Sequence, residues 1–101
     1  MVKKSVKISW DIEARNHFYD AIIYIKRQSP QNAEMVKQKV ISAVSKLSGS
    51  PNKYPIDKYR NNNDGSFRAI ELFHFRISYH ISENEIRIVR FRHTDMKPLE
   101  F

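Results

Sequence analysis

The first apolar pattern in the chain has a period of two. Val6, Ile8 and Trp10 fall on one side of residues 5–10, which predicts a half-buried strand. A period near 3.6 follows at once and again after a short break, which predicts two amphipathic helices. Helices so close together in sequence are expected to form an antiparallel hairpin.

The ends of both helices carry boundary signals. The first helix is predicted at about residues 12–27, with Asp11 placed to accept hydrogen bonds from first-turn amides. Ser29-Pro30 predicts the second start, because serine caps a helix and proline at its first position gives up an amide that had no partner. Gly49 and Pro51 predict its end, with the glycine in a left-handed cap.

The period returns to two in the last third of the chain. It predicts three strands at about residues 66–73, 75–82 and 85–92, with Asn84 at the second hairpin turn. Residues 72–75, at the first turn, contain no glycine, proline or asparagine. The predicted fold is therefore α+β: an N-terminal strand, a helical hairpin and a three-stranded antiparallel meander, with the helices on one face of the sheet.

Residues 49–65 lie between the helices and the last three strands. They contain two prolines, three consecutive asparagines and Asp64-Gly65, which predicts an irregular loop. A loop of this length is either a functional segment or a mobile connector.

Alternation in the strand at residues 75–82 separates two faces. The face expected to meet the helices carries Ile77, Tyr79 and Ile81. The opposite face carries Arg76, Ser78 and His80. A guanidinium, a hydroxyl and an imidazole in a row can bind a phosphate and move a proton, although periodicity alone favours a polar face open to solvent.

The last strand gives no single apolar face. Ile86 and Ile88 lie on one side, whereas Val89 and Phe91 lie on the other. This pattern predicts a central strand that is partly covered on both faces, with some arginines reaching past its ends.

A formal net charge of +7 favours an anionic partner, such as nucleic acid, an acidic protein or a membrane surface. Lysine and arginine together are spread evenly, but arginine alone is not. Six of the eight arginines fall in the loop and the last three strands: Arg60, Arg68, Arg76, Arg87, Arg90 and Arg92. The planar fork of arginine fits phosphate or carboxylate with two hydrogen bonds.

The remaining composition excludes several classes. A chain of 101 residues predicts one domain over residues 1–101, and the absence of cysteine excludes disulfides and thiolate metal sites. His74 and His80 are too far apart on a strand to share an ion, so neither a metal nor another cofactor is expected. His93 is a candidate acid or base, or an ordinary strand-end histidine. Without a signal peptide or a long apolar run, the chain is expected to be cytoplasmic and not membrane-bound.

Several short motifs together resemble the RelE/ParE superfamily of toxins from type II toxin-antitoxin systems, which includes plasmid stabilisation proteins. The motifs are Trp10-Asp-Ile-Glu-Ala, Tyr24-Ile…Ser29-Pro…Ala33, the Arg68 strand, Phe75-Arg-Ile-Ser-Tyr79 and Arg92-His-Thr-Asp-Met. The resemblance covers nearly the whole chain and implies the same β-α-α-β-β-β fold. It also implies a growth-arresting toxin that is neutralised by a cognate antitoxin.

The superfamily has two branches with different targets. In the branch resembling RelE, a ribosome-dependent mRNA endoribonuclease, Arg76 would stabilise the scissile phosphate and His93 would help to move protons. In the branch resembling ParE, the toxin inhibits DNA gyrase. Arg68 stands where paired lysines are expected and Phe101 where a tyrosine is expected, and phenylalanine cannot exchange a proton. These departures weaken the ribonuclease interpretation. The long helical hairpin and the His93-Thr-Asp-Met96 sequence resemble ParE more, which favours a gyrase inhibitor over an mRNA interferase.

The resemblance and the arginine pattern together give a set of candidate residues. Arg76 and His93 are the candidate catalytic pair if the protein is a ribonuclease. The residues expected to bind nucleic acid or a target are Arg68, Arg76, His80, Arg90, Arg92 and Phe101. The expected partners are the antitoxin and either DNA gyrase or ribosome-bound mRNA.

Overall fold

The structure, a computed structural model, describes residues 6–97 and 99–101. Its elements are β1 (Lys7–Trp10), α1 (Ile12–Gln28), α2 (Pro30–Ser45), a 3-10 turn (Lys46–Ser48), β2 (Phe67–Leu72), β3 (Phe75–Ile81) and β4 (Glu85–His93). The predicted α+β order is confirmed. The predicted first strand began at Ser5, which lies outside the described residues.

The four strands form one mixed sheet in the order β1-β4-β3-β2. The predicted antiparallel meander of β2, β3 and β4 is present. β1 pairs in parallel with β4, from Lys7 opposite Glu85 to Trp10 opposite Ile88. β3 and β4 are therefore the internal strands.

The core lies between the helical hairpin and one face of the sheet. The helices contribute Ala14, Phe18, Val36, Val40 and Val44, and the sheet contributes Ile70, Phe75, Ile77, Tyr79, Ile86, Ile88 and Phe91. Ile77 and Tyr79 in β3 thus face the helices, as predicted. The opposite face is not open to solvent, however, because Ser78 on that face is only 1% exposed.

A β-bulge resolves the ambiguous pattern of β4. Ser78 pairs with Arg90 and the next residue, Tyr79, pairs with Ile88, so Val89 is an extra residue in β4. An extra residue shifts the alternation by one position. Ile86, Ile88 and Phe91 consequently all point into the same core, and the expectation that they lie on two faces was wrong.

The helix ends differ in part from their predicted caps. Ser29 caps α2 as expected, because its Oγ accepts a hydrogen bond from the Asn32 amide at 3.2 Å. Asp11 makes no cap hydrogen bond; its carboxylate pairs with Arg87 instead. Gly49 has a φ of −88° rather than a left-handed conformation, because the 3-10 turn already satisfies the last carbonyls.

The tight turn between β2 and β3 places two bulky residues in the left-handed region. Phe73 has φ 53° and His74 has φ 66°. Two consecutive positive φ angles match the twist of a two-residue hairpin, but this conformation is normally taken by Asn-Gly. The turn that lacks a sequence signal is therefore strained.

Replacing His74 by glycine is expected to stabilise the fold by about 0.5–1 kcal/mol, because glycine adopts this φ without steric cost. Urea unfolding of both proteins measures the change. Glu83→Gly is the control, since Glu83 is exposed in the other hairpin and has no positive φ; it should lose stability. Equal losses for the two variants would show that the turn is not strained.

The loop at residues 49–66 is held against the sheet by side chains from the strands. Arg68 donates to the carbonyls of Asn52 at 3.2 Å and Tyr54 at 2.8 Å. The Tyr79 hydroxyl donates to the carbonyl of Pro51 at 2.7 Å. Residues 55–57 also pair along the outer edge of β2. The loop is thus tied to the sheet at several points. Its first part packs at the helix side of the sheet, where Tyr54 contacts the core, and its middle part, with Asp57 and Tyr59, lies against Arg76 on the opposite face.

Burial raises the pKa of Tyr79 to about 12 from its ordinary value of 10. A pKa that is higher in the folded state gives stability that is fully present below pH 10 and is lost as the pH rises toward 12. Wild-type protein should therefore lose stability in alkali across this interval, whereas Tyr79→Phe should retain more of its neutral-pH stability there. Circular dichroism as a function of pH measures both curves, and coincident curves would contradict the expectation.

Candidate functional site

Three of the arginines that were predicted as site residues meet on the sheet face opposite the helices. Arg76 lies opposite Arg92 across β3 and β4, and Ser78 lies opposite Arg90. These side chains border a cavity of about 130 Å³, here called the arginine pocket. Its other lining residues are Asp57, Lys58, Tyr59, Glu71, His93, Thr94, Met96 and Leu99.

Arg76 is the most heavily engaged of the three. Its guanidinium pairs with Glu71, lies 3.9 Å from the Asp57 carboxylate and stacks 4.6 Å from the centre of the Tyr59 ring. Only 17% of its side chain is exposed. A phosphate would have to displace two carboxylates to bind here, so Arg76 is a poor free anion site.

Asp57 is the buried anion beneath this cluster. Its side chain is fully buried, and its Oδ1 accepts a hydrogen bond from the Tyr59 amide at 3.0 Å. Within the described residues, its Oδ2 has no hydrogen-bond partner. A buried carboxylate needs cations close by, and Arg76 supplies one.

Arg90 and Arg92 are held by backbone carbonyls instead. Arg90 donates to the Leu99 carbonyl at 2.6 Å, whereas Arg92 makes a longer bond of 3.4 Å to the Lys97 carbonyl. Burial lowers the pKa of Arg90, and the positive charges of Arg92 and Arg76 lower it further while Asp57 opposes them. Arginine nevertheless stays charged at neutral pH. Arg92 therefore has the weakest internal hydrogen bond of the three arginines.

His93 ends β4 at the margin of the pocket. Its Nδ1 accepts a hydrogen bond from the Asp95 amide at 3.2 Å, and its ring packs edge-on to Phe75 at 5.1 Å. The side chain is 40% exposed. His93 is thus brought to the same pocket as Arg76.

The other candidates are placed outside the pocket. Phe101 lies beside it, with its ring 4.3 Å from the Arg90 guanidinium and 5.3 Å from that of Arg60. His80 lies further along the same face and packs against Phe67, with the ring centres 4.4 Å apart and the planes tilted by 38°. Arg68 is hydrogen-bonded to the loop, as described above, and does not line the pocket.

Sequence reasoning missed the residues that surround the arginines. Asp57, Tyr59 and Arg60 come from the loop, which the sequence predicts only as irregular. Glu71 comes from β2, where the alternation gives its face but no partner. The charge and aromatic content of residues 57–60 was the available signal.

A second, larger cavity adjoins the arginine pocket. This apolar groove of about 490 Å³ lies between α1 and the ends of β3 and β4. It is lined by His17, Asp20, Ala21, Tyr24, Ile25, Phe73, Phe75, Phe91, Arg92, His93 and Met96. Arg92, His93 and Met96 border both cavities, so the two share a wall.

Two further findings concern metals and membranes. Among residues 6–97 and 99–101, no three His, Asp or Glu side chains converge as metal ligands. Neither helix in the described part of the chain has the length and apolar character needed to cross a membrane.

The fold and this site define a small basic α+β protein with an arginine-lined sheet. Residues 8–98 match the family described as the ParE toxin of the type II toxin-antitoxin system parDE, and the chain belongs to that family. It is accordingly the toxin of such a system, whose partner is a cognate antitoxin. The match is to ParE rather than to the ribonuclease branch.

A solved structure agrees with this fold. The chain is similar to one described as a chromosomal ParDE toxin-antitoxin system from P. aeruginosa, with 21% identity and a TM-score of 0.68. The similarity covers 92% of this chain and 100% of the other. Among curated protein sequences, none is similar enough to count as a match.

Asp57→Asn is expected to lower the free energy of unfolding by about 2–3 kcal/mol, because it removes the buried counter-charge of Arg76. Glu71→Gln is the matched control: it removes the exposed carboxylate from the same guanidinium and should cost less than about 1 kcal/mol. Urea unfolding at pH 7 gives both values. Similar losses would mean that Asp57 is not the main counter-ion.

Proposed function

We propose that this toxin arrests growth by binding DNA gyrase in the cytoplasm and stopping supercoiling, without cutting nucleic acid. Support comes first from membership of the ParE family rather than the ribonuclease branch. The observation that carries the proposal is that the Arg76 guanidinium is already neutralised by carboxylates of the protein. The arginine that a ribonuclease would need at the scissile phosphate is held by Glu71 and Asp57.

The pocket chemistry supports the same conclusion. Cleavage by an adjacent 2′-hydroxyl needs one group to take a proton, another to return it, and positive charge on the phosphate. His93 brings one imidazole to the pocket, whereas Glu71 and Tyr59 there are engaged with Arg76. Phe101, where a tyrosine is expected in the ribonuclease branch, has a ring without a proton to exchange. The arginines are therefore suited to binding rather than to catalysis.

Arg92 is the arginine proposed to contact the target. Within the part of the chain that the structure describes, its one hydrogen bond is long, at 3.4 Å, and its side chain borders both the pocket and the apolar groove. A guanidinium with little internal competition gains the most from an acidic partner. Arg90 is less available while Leu99 and Phe101 occupy it, through a 2.6 Å hydrogen bond and a ring 4.3 Å away.

Arg92→Ala is expected to weaken gyrase inhibition by about tenfold or more, because a charged contact at the interface is lost. The assay follows supercoiling of relaxed plasmid by purified gyrase over a range of toxin concentrations. Arg15→Ala is the matched control, since it removes the same charge from the exposed surface of α1. Equal effects of the two variants would indicate a dependence on net charge alone.

The same preparations are tested on ribosomes programmed with mRNA. Wild-type toxin should leave the mRNA intact, as judged by primer extension. Cleavage of the mRNA together with unaffected supercoiling would overturn the proposal and assign the protein to the ribonuclease class.

A further inference from the structure

Residues near the end of the sequence contact Arg90 and Arg92 from the solvent side of the sheet. They are residue 97 and residues 99–101 and are called here the covering segment. The amide of Phe101 donates to the Tyr59 carbonyl at 2.9 Å, and the carbonyl of Phe101 accepts from the Asn61 amide. The segment is thus paired with the loop and not with a strand of the sheet.

The contacts of the covering segment are of two kinds. The Leu99 and Lys97 carbonyls accept hydrogen bonds from Arg90 and Arg92. The Phe101 ring lies 4.3 Å from the Arg90 guanidinium and 5.3 Å from that of Arg60, and it meets Phe67 edge-on at 6.0 Å. The segment therefore places oxygen acceptors on two arginines and a planar ring near two guanidinium groups.

Single-stranded nucleic acid also presents oxygen acceptors and planar rings. Its bases stack on aromatic rings and guanidinium planes, and its phosphate oxygens accept from arginine. A charged phosphate is a stronger acceptor for arginine than a neutral peptide carbonyl is. The covering segment is the weaker of the two possible occupants at each contact with Arg90 and Arg92.

The hold on the segment is limited. Lys97, Leu99 and Glu100 are exposed, and Leu99 is 51% exposed despite being apolar. Phe101 is the one apolar side chain of the segment that is half-buried. Since little apolar surface is buried, displacing the segment costs little hydrophobic stabilisation.

We infer that the covering segment is an internal ligand of a binding site for single-stranded nucleic acid, formed by Arg60, Phe67, Arg90 and Arg92. A base takes the place of the Phe101 ring, and phosphates take the places of the Leu99 and Lys97 carbonyls. This site goes beyond gyrase inhibition and is measured without gyrase. Phe101 is accordingly a competitor of the nucleic acid and not one of its contacts.

The decisive variant is Phe101→Ala, which empties the ring position and leaves the arginines in place. Its affinity for fluorescein-labelled ten-nucleotide oligothymidylate, measured by anisotropy at low salt, should be about tenfold higher than that of wild type. Ile23→Ala is the control, because it removes an exposed apolar side chain of α1 that lines neither cavity; its affinity should equal that of wild type. Adding Arg90→Ala to Phe101→Ala should abolish the gain.

Three outcomes would overturn the inference. They are an unchanged affinity of Phe101→Ala, a reduced affinity, and a gain that survives loss of Arg90. Oligouridylate of the same length shows whether RNA binds as DNA does, and duplex DNA should bind Phe101→Ala no better than wild type, because its bases are already stacked.

A second measurement covers the case in which Phe101→Ala does not fold. Titrating wild-type protein with oligothymidylate should increase hydrogen exchange at the Asn61 amide, which donates to Phe101, while the amides of β3 stay protected. Binding that leaves the Asn61 amide protected would show that the segment is not displaced, and the inference would be wrong.

Discussion

Three guanidinium groups on neighbouring strands repel one another, and the arrangement depends on the buried carboxylate of Asp57. It lies beneath the cluster, 3.9 Å from Arg76, and its loop is pinned by backbone bonds to the edge of β2. Tyr59, which stacks on Arg76, is held by the same carboxylate. Fold and site are therefore linked, because the middle part of the loop, which neutralises the arginines, lies against the second face of the sheet.

The bulge at Val89 sets which residues can reach that loop. Without the extra residue, Arg90 would continue the alternation of Ile86 and Ile88 and would point into the apolar core. With it, Arg90 and Arg92 lie on the face of Arg76, and Phe91 completes the core. The bulge in β4 thus lets one strand supply apolar side chains to the core and arginines to the pocket.

Much of the fold could be predicted from periodicity and the Ser29-Pro30 cap, because these signals are local. The parallel pairing of β1 with β4 and the bulge could not, since both depend on contacts distant in sequence. At the site, alternation correctly placed Arg76 on the face opposite the helices, but nothing near it in the sequence indicated that Asp57 and Glu71 would neutralise it. The hydrogen bonds of Arg68 could not be predicted for the same reason, because its partners are loop carbonyls and side-chain patterns do not report on backbone groups. The roles of the candidates in binding remain predictions.

The shared wall between the arginine pocket and the apolar groove has a thermodynamic consequence. Arg92, His93 and Met96 border both cavities, so a molecule that fixes these side chains from the groove alters what the pocket can hold. Linkage then requires the effect to be reciprocal, with each occupant changing the affinity of the other by the same factor. The toxin therefore has two adjacent cavities but not two independent binding equilibria.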